Sequence, residues 1–227
     1  MDVEILQQPD SAIAKVSLEN SESVYAQAGA MIAMSADLRV ATTLRRGKGG
    51  GLLGGLKRLV AGESLFLSEF SAPPNGGEIY LAPKLLGDLV AYEFSGQPLI
   101  VQSGSYVACG SGVNIDVGFQ GFKSIFSGES LFWLELSGQG TALINSFGGI
   151  YVIDVAGEYI VDTGHIVAFE RSLDFQITKP PGSSWIGAFL GGEGLVCRFQ
   201  GHGKLYCQTH NNNAFGQLIG SRLPPRN

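Results

Sequence analysis

Charge is scarce in this sequence. Lysine, arginine, aspartate and glutamate make up 15% of its 227 residues, while 44% are hydrophobic. That is lean for a soluble domain and implies that some surface is hidden in an oligomer. Cysteine is rare too. Three residues, an odd number, read as free thiols in a reducing compartment. The three histidines, His165, His202 and His210, do not stand at ligand spacing with a cysteine or carboxylate on one element. No metal site is expected. No Gly-x-Ser-x-Gly elbow stands out between a strand and a helix, and Gly104-Ser105-Tyr106 lacks an obvious base. No catalytic residue is read, and the chain is expected not to be an enzyme. The start, Met1-Asp2-Val3-Glu4, is acidic where a secretory leader is basic. The uncharged stretches 94–115 and 136–153 are full of glycine, serine, asparagine and glutamine. They suit strands and turns better than a spanning helix. A cytoplasmic protein is expected.

What the sequence has is repetition. Gly62-Glu63-Ser64-Leu65-Phe66 returns 66 residues later as Gly128-Glu129-Ser130-Leu131-Phe132. It returns more loosely, 64 residues further on, as Gly192-Glu193-Gly194-Leu195-Val196. Periods of this size mark repeat architectures. A second landmark agrees. Tyr25–Ala33 aligns without gaps on Ile100–Ala108 and on Ile160–Ala168. In each, a glycine (Gly29, Gly104, Gly164) separates two apolar runs, and an alanine follows four residues later. The plain reading is a hairpin or bulge glycine and a small core residue at Ala33, Ala108 and Ala168.

Short strands with turn signals every 8–12 residues indicate an all-β sandwich or barrel. Strands are expected at Val3–Gln8, Ile13–Leu18, Leu38–Leu44, Ile79–Ala82, Leu89–Phe94, Gly112–Val117, Thr141–Ile144, Ile150–Val155 and Leu173–Thr178. No long amphipathic helix is seen, and the tail from Arg222 to Asn227 is expected to fray. Three units follow, at residues 1–76, 77–138 and 139–227. A lone unit of this size buries little of its surface, so the expectation is one body of three repeated β-sandwich units with pseudo-threefold symmetry.

One stretch breaks the pattern. Six of the nine residues from Gly47 to Gly55 are glycine, and six basic residues but no acid lie between Asp37 and Glu63. The rest of the chain then carries nine basic against twenty acidic residues. Gly47-Lys48 is followed by Gly49 where a phosphate loop needs serine or threonine, and no Gly-x-Gly-x-x-Gly fingerprint is present. No cofactor is expected. Leu52, Leu53, Leu56, Leu59 and Val60 share one face of a short helix. The same place in the second unit holds Phe119, Phe122 and Phe126, and in the third Trp185 and Phe189. These loops either plug the ends of the sandwiches or gather at one face to bind a subunit, a protein partner or a membrane surface. The candidate interaction residues are Arg45, Arg46, Lys48, Leu52, Leu53, Leu56, Lys57, Arg58, Phe119, Phe122, Phe126, Trp185 and Phe189. The basic ones favour anionic lipid or an acidic partner. Nucleic acid is disfavoured by the acidic balance.

Gly201-His202-Gly203 reads as a hairpin tip. Cys197 and Cys207, each five residues away, would then face each other. A cross-strand disulfide or two small buried thiols would both fit, and a reducing compartment favours the thiols. The recurring Glu63, Glu129 and Glu193 read as caps on strand-start amides.

The run Ala28-Gly29-Ala30-Met31-Ile32-Ala33, the glycine-rich loop leading into Leu56-Lys57-Arg58, and Gly62-Glu63-Ser64-Leu65-Phe66 together resemble a known family. It is the bacterial uncharacterised family related to the mitochondrial biogenesis (altered inheritance of mitochondria) protein. The resemblance spans essentially the whole chain and departs most in the third unit. It implies a fold similar to the tryptophan RNA-binding attenuation protein, a short double-stranded β-helix repeated three times. It implies assembly into a homo-oligomer, a trimer or a ring. It carries no established activity and no catalytic residues. The mitochondrial relatives imply a place peripheral to the inner membrane. The expected function is a non-enzymatic oligomeric scaffold. The alternative is a ring that binds RNA or a small ligand.

Overall fold

Alternation builds the first sheet. Strand β2 (Ile13–Leu18) reads Ile-Ala-Lys-Val-Ser-Leu and buries Ala14, Val16 and Leu18 on one side. Successive side chains of a strand point to opposite faces, so this spacing gives one core face and one wet face. β2 pairs with β1 (Asp2–Leu6) and with β7 (Gly77–Leu81), and β7 pairs with β4 (Met31–Met34). The order is β1-β2-β7-β4. In the computed structural model the described residues are 1–44, 66–119, 133–180 and 195–224.

A six-stranded sheet follows. Its members are β3 (Ser23–Gln27), β5 (Arg39–Leu44), β6 (Phe66–Ser71), β8 (Leu89–Phe94), β10 (Tyr106–Gly110) and β13 (Gly140–Asn145), in the order β5-β6-β3-β10-β13-β8. A third sheet has the order β11-β12-β9-β15-β17-β14. These are β9 (Leu99–Gln102), β11 (Val113–Phe119), β12 (Trp133–Gly138), β14 (Ile150–Asp162), β15 (Ile166–Glu170) and β17 (Val196–Gln208). β16 (Asp174–Thr178) pairs with β17. All strand–strand ladders here are antiparallel. The fold is therefore all-β, with a single helix among the described residues. That helix, α1 (Asn212–Gly220), is capped by the Asn211 side chain, which accepts from the Asn213 and Ala214 amides. Asparagine is a strong N-cap for this reason. The sequence reading does not anticipate α1, which spans only nine residues; its apolar residues Phe215, Leu218 and Ile219 stand at i, i+3 and i+4 and stay exposed.

Three apolar clusters form the interior. One gathers Val16, Ile79, Leu81, Leu89 and Leu143 between the first two sheets. The second packs Leu99, Val101, Tyr106, Leu134, Leu136 and Tyr206. The third is aromatic: Trp133, Phe169 and Phe199 with Leu205. Tyr106 buries its ring fully and donates its hydroxyl proton to the Tyr25 carbonyl at 2.7 Å. No helix of the described residues is long and apolar enough to cross a membrane.

The expected strands at Ile13–Leu18 and Leu89–Phe94 match β2 and β8 residue for residue. The hairpin tip at His202 does not exist. β17 runs straight through it, facing β14 from Val196 opposite Asp162 to Gln208 opposite Ile150. Gly201 lies opposite Gly157, at φ +126° and +109°. The two glycines take up the bend in both strands without breaking the ladder. Cys197 and Cys207 therefore sit ten residues apart on one strand, opposite Val161 and Tyr151 of β14, and do not face each other. Both are buried thiols outside any disulfide, as is Cys109.

Candidate functional site

Nearly all of the proposed interaction residues, Arg45, Arg46, Lys48, Leu52, Leu53, Leu56, Lys57, Arg58, Phe122, Phe126, Trp185 and Phe189, lie outside the described residues. So do the recurring Glu63, Glu129 and Glu193. Phe119 is described through its backbone, as the last residue of β11 opposite Trp133. What is described is the base of each loop. The first joins β5 to β6, which end their ladder at Leu44 opposite Phe66. The second joins β11 to β12 at Phe119 opposite Trp133. The third joins β16 to β17 at Thr178 opposite Val196. Each is thus the connection of a hairpin whose feet are hydrogen-bonded together. The return strands leave the feet buried: Leu67, Trp133 and Val196 are all in the core.

The three aligned landmark segments fold alike in one respect. Ser103–Ser105 and Thr163–His165 are single 3-10 turns, and Gly29 at φ +85° turns β3 into β4. The strand after each turn carries an irregularity at the same place. The ladder of β4 with β7 shifts between Met31 and Ala33, that of β10 with β13 between Tyr106 and Ala108, and that of β15 with β17 between Ile166 and Ala168. Such bulges re-aim a side chain and bend the strand.

Exposure is where the segments part. Ala108 and Ala168 are fully buried, as expected of a small core residue, but Ala33 is exposed. Tyr106 and Ile166 are fully buried, whereas Met31 is 40% exposed. Val107 and Val167 are buried, whereas Ile32 is 54% exposed. The reason is a missing neighbour. β10 is flanked on its outer side by β3, and β15 by β9. β4 is the last strand of its sheet. The opposite partner shows the same defect. Val24 of β3 and Leu99 of β9 are fully buried, while the aligned Tyr159 of β14 is 46% exposed, and β14 also ends its sheet. Sequence reading missed Met31, Ile32 and Tyr159 because alignment alone makes them core.

The polar groups nearby serve the fold. Gln208 accepts from the Phe147 amide and donates to the Gly164 carbonyl, and the Gln208 carbonyl lies 2.8 Å from His165 Nδ1. Asp162 accepts from the Gly164 amide at 2.7 Å and closes the turn. Among the described residues no group of three or more histidines, cysteines and carboxylates is placed to hold a metal.

The buried acids of the third sheet make stability depend on pH. Burial pushes the Cys197 thiol up to about 12 and the Cys207 thiol up to about 11. Burial, aided by Tyr92, pushes the Tyr206 hydroxyl up to about 12. All three are raised above their unfolded values, so the neutral forms stabilise the folded state. That stability is complete below the unfolded values of 9.0 and 10.0, and it is lost as pH rises toward 11 to 12. We expect a urea midpoint that is flat near neutrality and falls steadily above about pH 9. A midpoint unchanged to about pH 11 would contradict this account.

Comparison with known proteins places the chain among relatives. Residues 3–210 match the family model described as mitochondrial biogenesis AIM24. An uncharacterised protein of Streptococcus pyogenes serotype M6 is 32% identical over 219 residues, which cover 93% of this chain and 87% of that protein. A crystal structure of a Streptococcus pyogenes protein superposes with a TM-score of 0.77 at 28% identity, covering 98% of this chain and 99% of the other.

Proposed function

Because the chain belongs to the mitochondrial biogenesis AIM24 family, we propose that it is a non-enzymatic, oligomeric β-scaffold that presents three hairpin loops to a membrane surface. The observation that carries this reading is a pairing scheme that occurs three times. β7 pairs with β2 and β4; β13 pairs with β8 and β10; the second half of β17 pairs with the first half of β14 and with β15. β6 pairs with β5 and β3; β12 pairs with β11 and β9; the first half of β17 pairs with β16 and the second half of β14. This recurrence supports three repeated double-stranded β-helix units related by pseudo-threefold symmetry. In that arrangement the three pinned loop bases occupy equivalent places in successive units.

The loop chemistry selects the partner. The first loop sets Arg45, Arg46, Lys57 and Arg58 beside leucines, and the others offer Phe122, Phe126, Trp185 and Phe189. Basic groups beside apolar ones suit an anionic lipid surface, each cation contributing on the order of 1 kcal/mol near it. Purified protein should co-sediment with vesicles of anionic lipid and much less with neutral vesicles, and salt should weaken the binding. Replacing Arg45, Arg46, Lys57 and Arg58 with serine should reduce co-sedimentation at least about tenfold. Equal sedimentation of the variant and the parent would remove lipid from the proposal.

A further inference from the structure

Among the described residues one kind of strand pairing occurs twice, and both halves of a third lie at sheet edges. In the first instance Ala108, Cys109 and Gly110 of β10 face Ala26, Tyr25 and Val24 of β3. In the second, Ala168, Phe169 and Glu170 of β15 face Val101, Ile100 and Leu99 of β9. The sequence alignment equates Ala33 with Ala108 and Ala168, and Val161 with Ala26 and Val101. Both ladders therefore have one register in aligned positions. The remaining combination is β4 with the second half of β14. Both strands end their sheets, and they belong to different sheets.

We propose that β4 of one chain pairs antiparallel with β14 of a second copy, Ala33 opposite Val161, Met34 opposite Ile160 and Ser35 opposite Tyr159. This rests on the repeat reading above and specifies how the oligomer is joined. The occupant is a second copy because the strands that pair with the aligned counterparts of β4, β3 with β10 and β9 with β15, are this chain's own. The composition of β4 agrees. Natural edge strands carry lysine, proline or an inward charge that blocks pairing. Met31-Ile32-Ala33-Met34 carries none of these, and its apolar side chains are half exposed. Tyr159 offers an apolar face on the other edge. The contact uses two different surfaces, so it is head-to-tail, and each added chain presents a fresh β4 and a fresh β14.

The test uses the full chain with cysteines placed across the inferred register. Ala33→Cys protein is mixed with Val161→Cys protein, and Met34→Cys with Ile160→Cys, under mild oxidation. Adjacent antiparallel pairs alternate between hydrogen-bonded and closer non-hydrogen-bonded positions, so one of the two combinations suits a disulfide. The native thiols are buried and do not compete. We expect a linked dimer of chains in at least one mixture and none from any single variant alone. Ile32→Asp, with its β-sheet circular dichroism intact, is expected to reduce the solution mass measured by light scattering to that of one chain. Cross-linking of Ala33→Cys with itself would mean that two β4 edges meet, and would overturn the register. An oligomeric parent with no cross-link in either mixture would overturn this interface and leave the scaffold reading standing. A parent that is monomeric at all concentrations would overturn both.

Discussion

Replacing Phe169 with alanine is expected to destabilise the fold by about 3–5 kcal/mol, the range for deleting a buried aromatic side chain. Phe169 is fully buried on β15, between Ile100 of β9 and Leu205 of β17. Its ring centroid lies 5.1 Å from Phe199, 5.3 Å from Phe175 and 5.7 Å from Trp133. Edge-to-face contacts at these distances add to the area term. The alanine variant leaves a cavity whose walls belong to strands β9, β12, β16 and β17, and paired strands collapse poorly into a hole. Native domains hold only about 5–15 kcal/mol in total, so the loss should be visible as a large fall in the urea midpoint. Leu86→Ala is the comparison, since Leu86 is 72% exposed and should change stability by about 0.5 kcal/mol or less. A Phe169→Ala midpoint equal to that of Leu86→Ala would refute the aromatic cluster as the core of the third sheet. Because Trp133 both joins that cluster and forms a foot of the second loop, the same variant should also loosen the loop base.

Gly138→Ala is expected to cost at least about 2 kcal/mol, through backbone strain and a collision together. Gly138 ends β12 at φ +123°, a conformation that residues with a Cβ rarely adopt. A Cβ built there would stand 2.4 Å from the Gly112 carbonyl oxygen. The approach is mutual, because a Cβ on Gly112 would stand 2.5 Å from the Gln139 carbonyl oxygen. The Gln139 amide donates to the Gly112 carbonyl at 3.2 Å, so the backbones cannot separate without losing a hydrogen bond. Gly96→Ala isolates the strain alone, since Gly96 has φ +104° with nothing within 4 Å of its Cβ position. Thermal melts should place Gly138→Ala clearly below Gly96→Ala. Equal melting temperatures would mean that the β11–β12 junction yields, and that the close approach carries no energy.

Much of the β architecture is legible in the sequence. Alternation in Ile13–Leu18 and the turn signals around Leu89–Phe94 locate β2 and β8, because side-chain periodicity and turn chemistry are local properties. The alignment of Tyr25–Ala33 with Ile100–Ala108 and Ile160–Ala168 marks three segments that each turn at the glycine, while the shared irregularity falls after the glycine and not at it. Three readings fail or go unmade. Gly201-His202-Gly203 looks like a turn, yet it lies inside β17, because β14 continues opposite it and Gly157 bends in step. Alignment makes Ala33 a core residue, yet it is exposed. Helix α1 goes unread because it spans only nine residues: Phe215, Leu218 and Ile219 do share one helical face, but they stay exposed, with Phe215 resting on Phe147 at 5.2 Å between ring centroids.

The sequence by itself determined that this is an all-β chain, which side chains alternate along strands such as Ile13–Leu18, and which family it belongs to. Those follow from the order of neighbours along the chain. The tertiary structure alone decided which strands lie side by side, and so which landmark is buried and which is left at an edge. Burial depends on what occupies the far side of a strand. For β10 and β15 that is another strand of the same chain, and for β4 and the second half of β14 none of the described strands lies there.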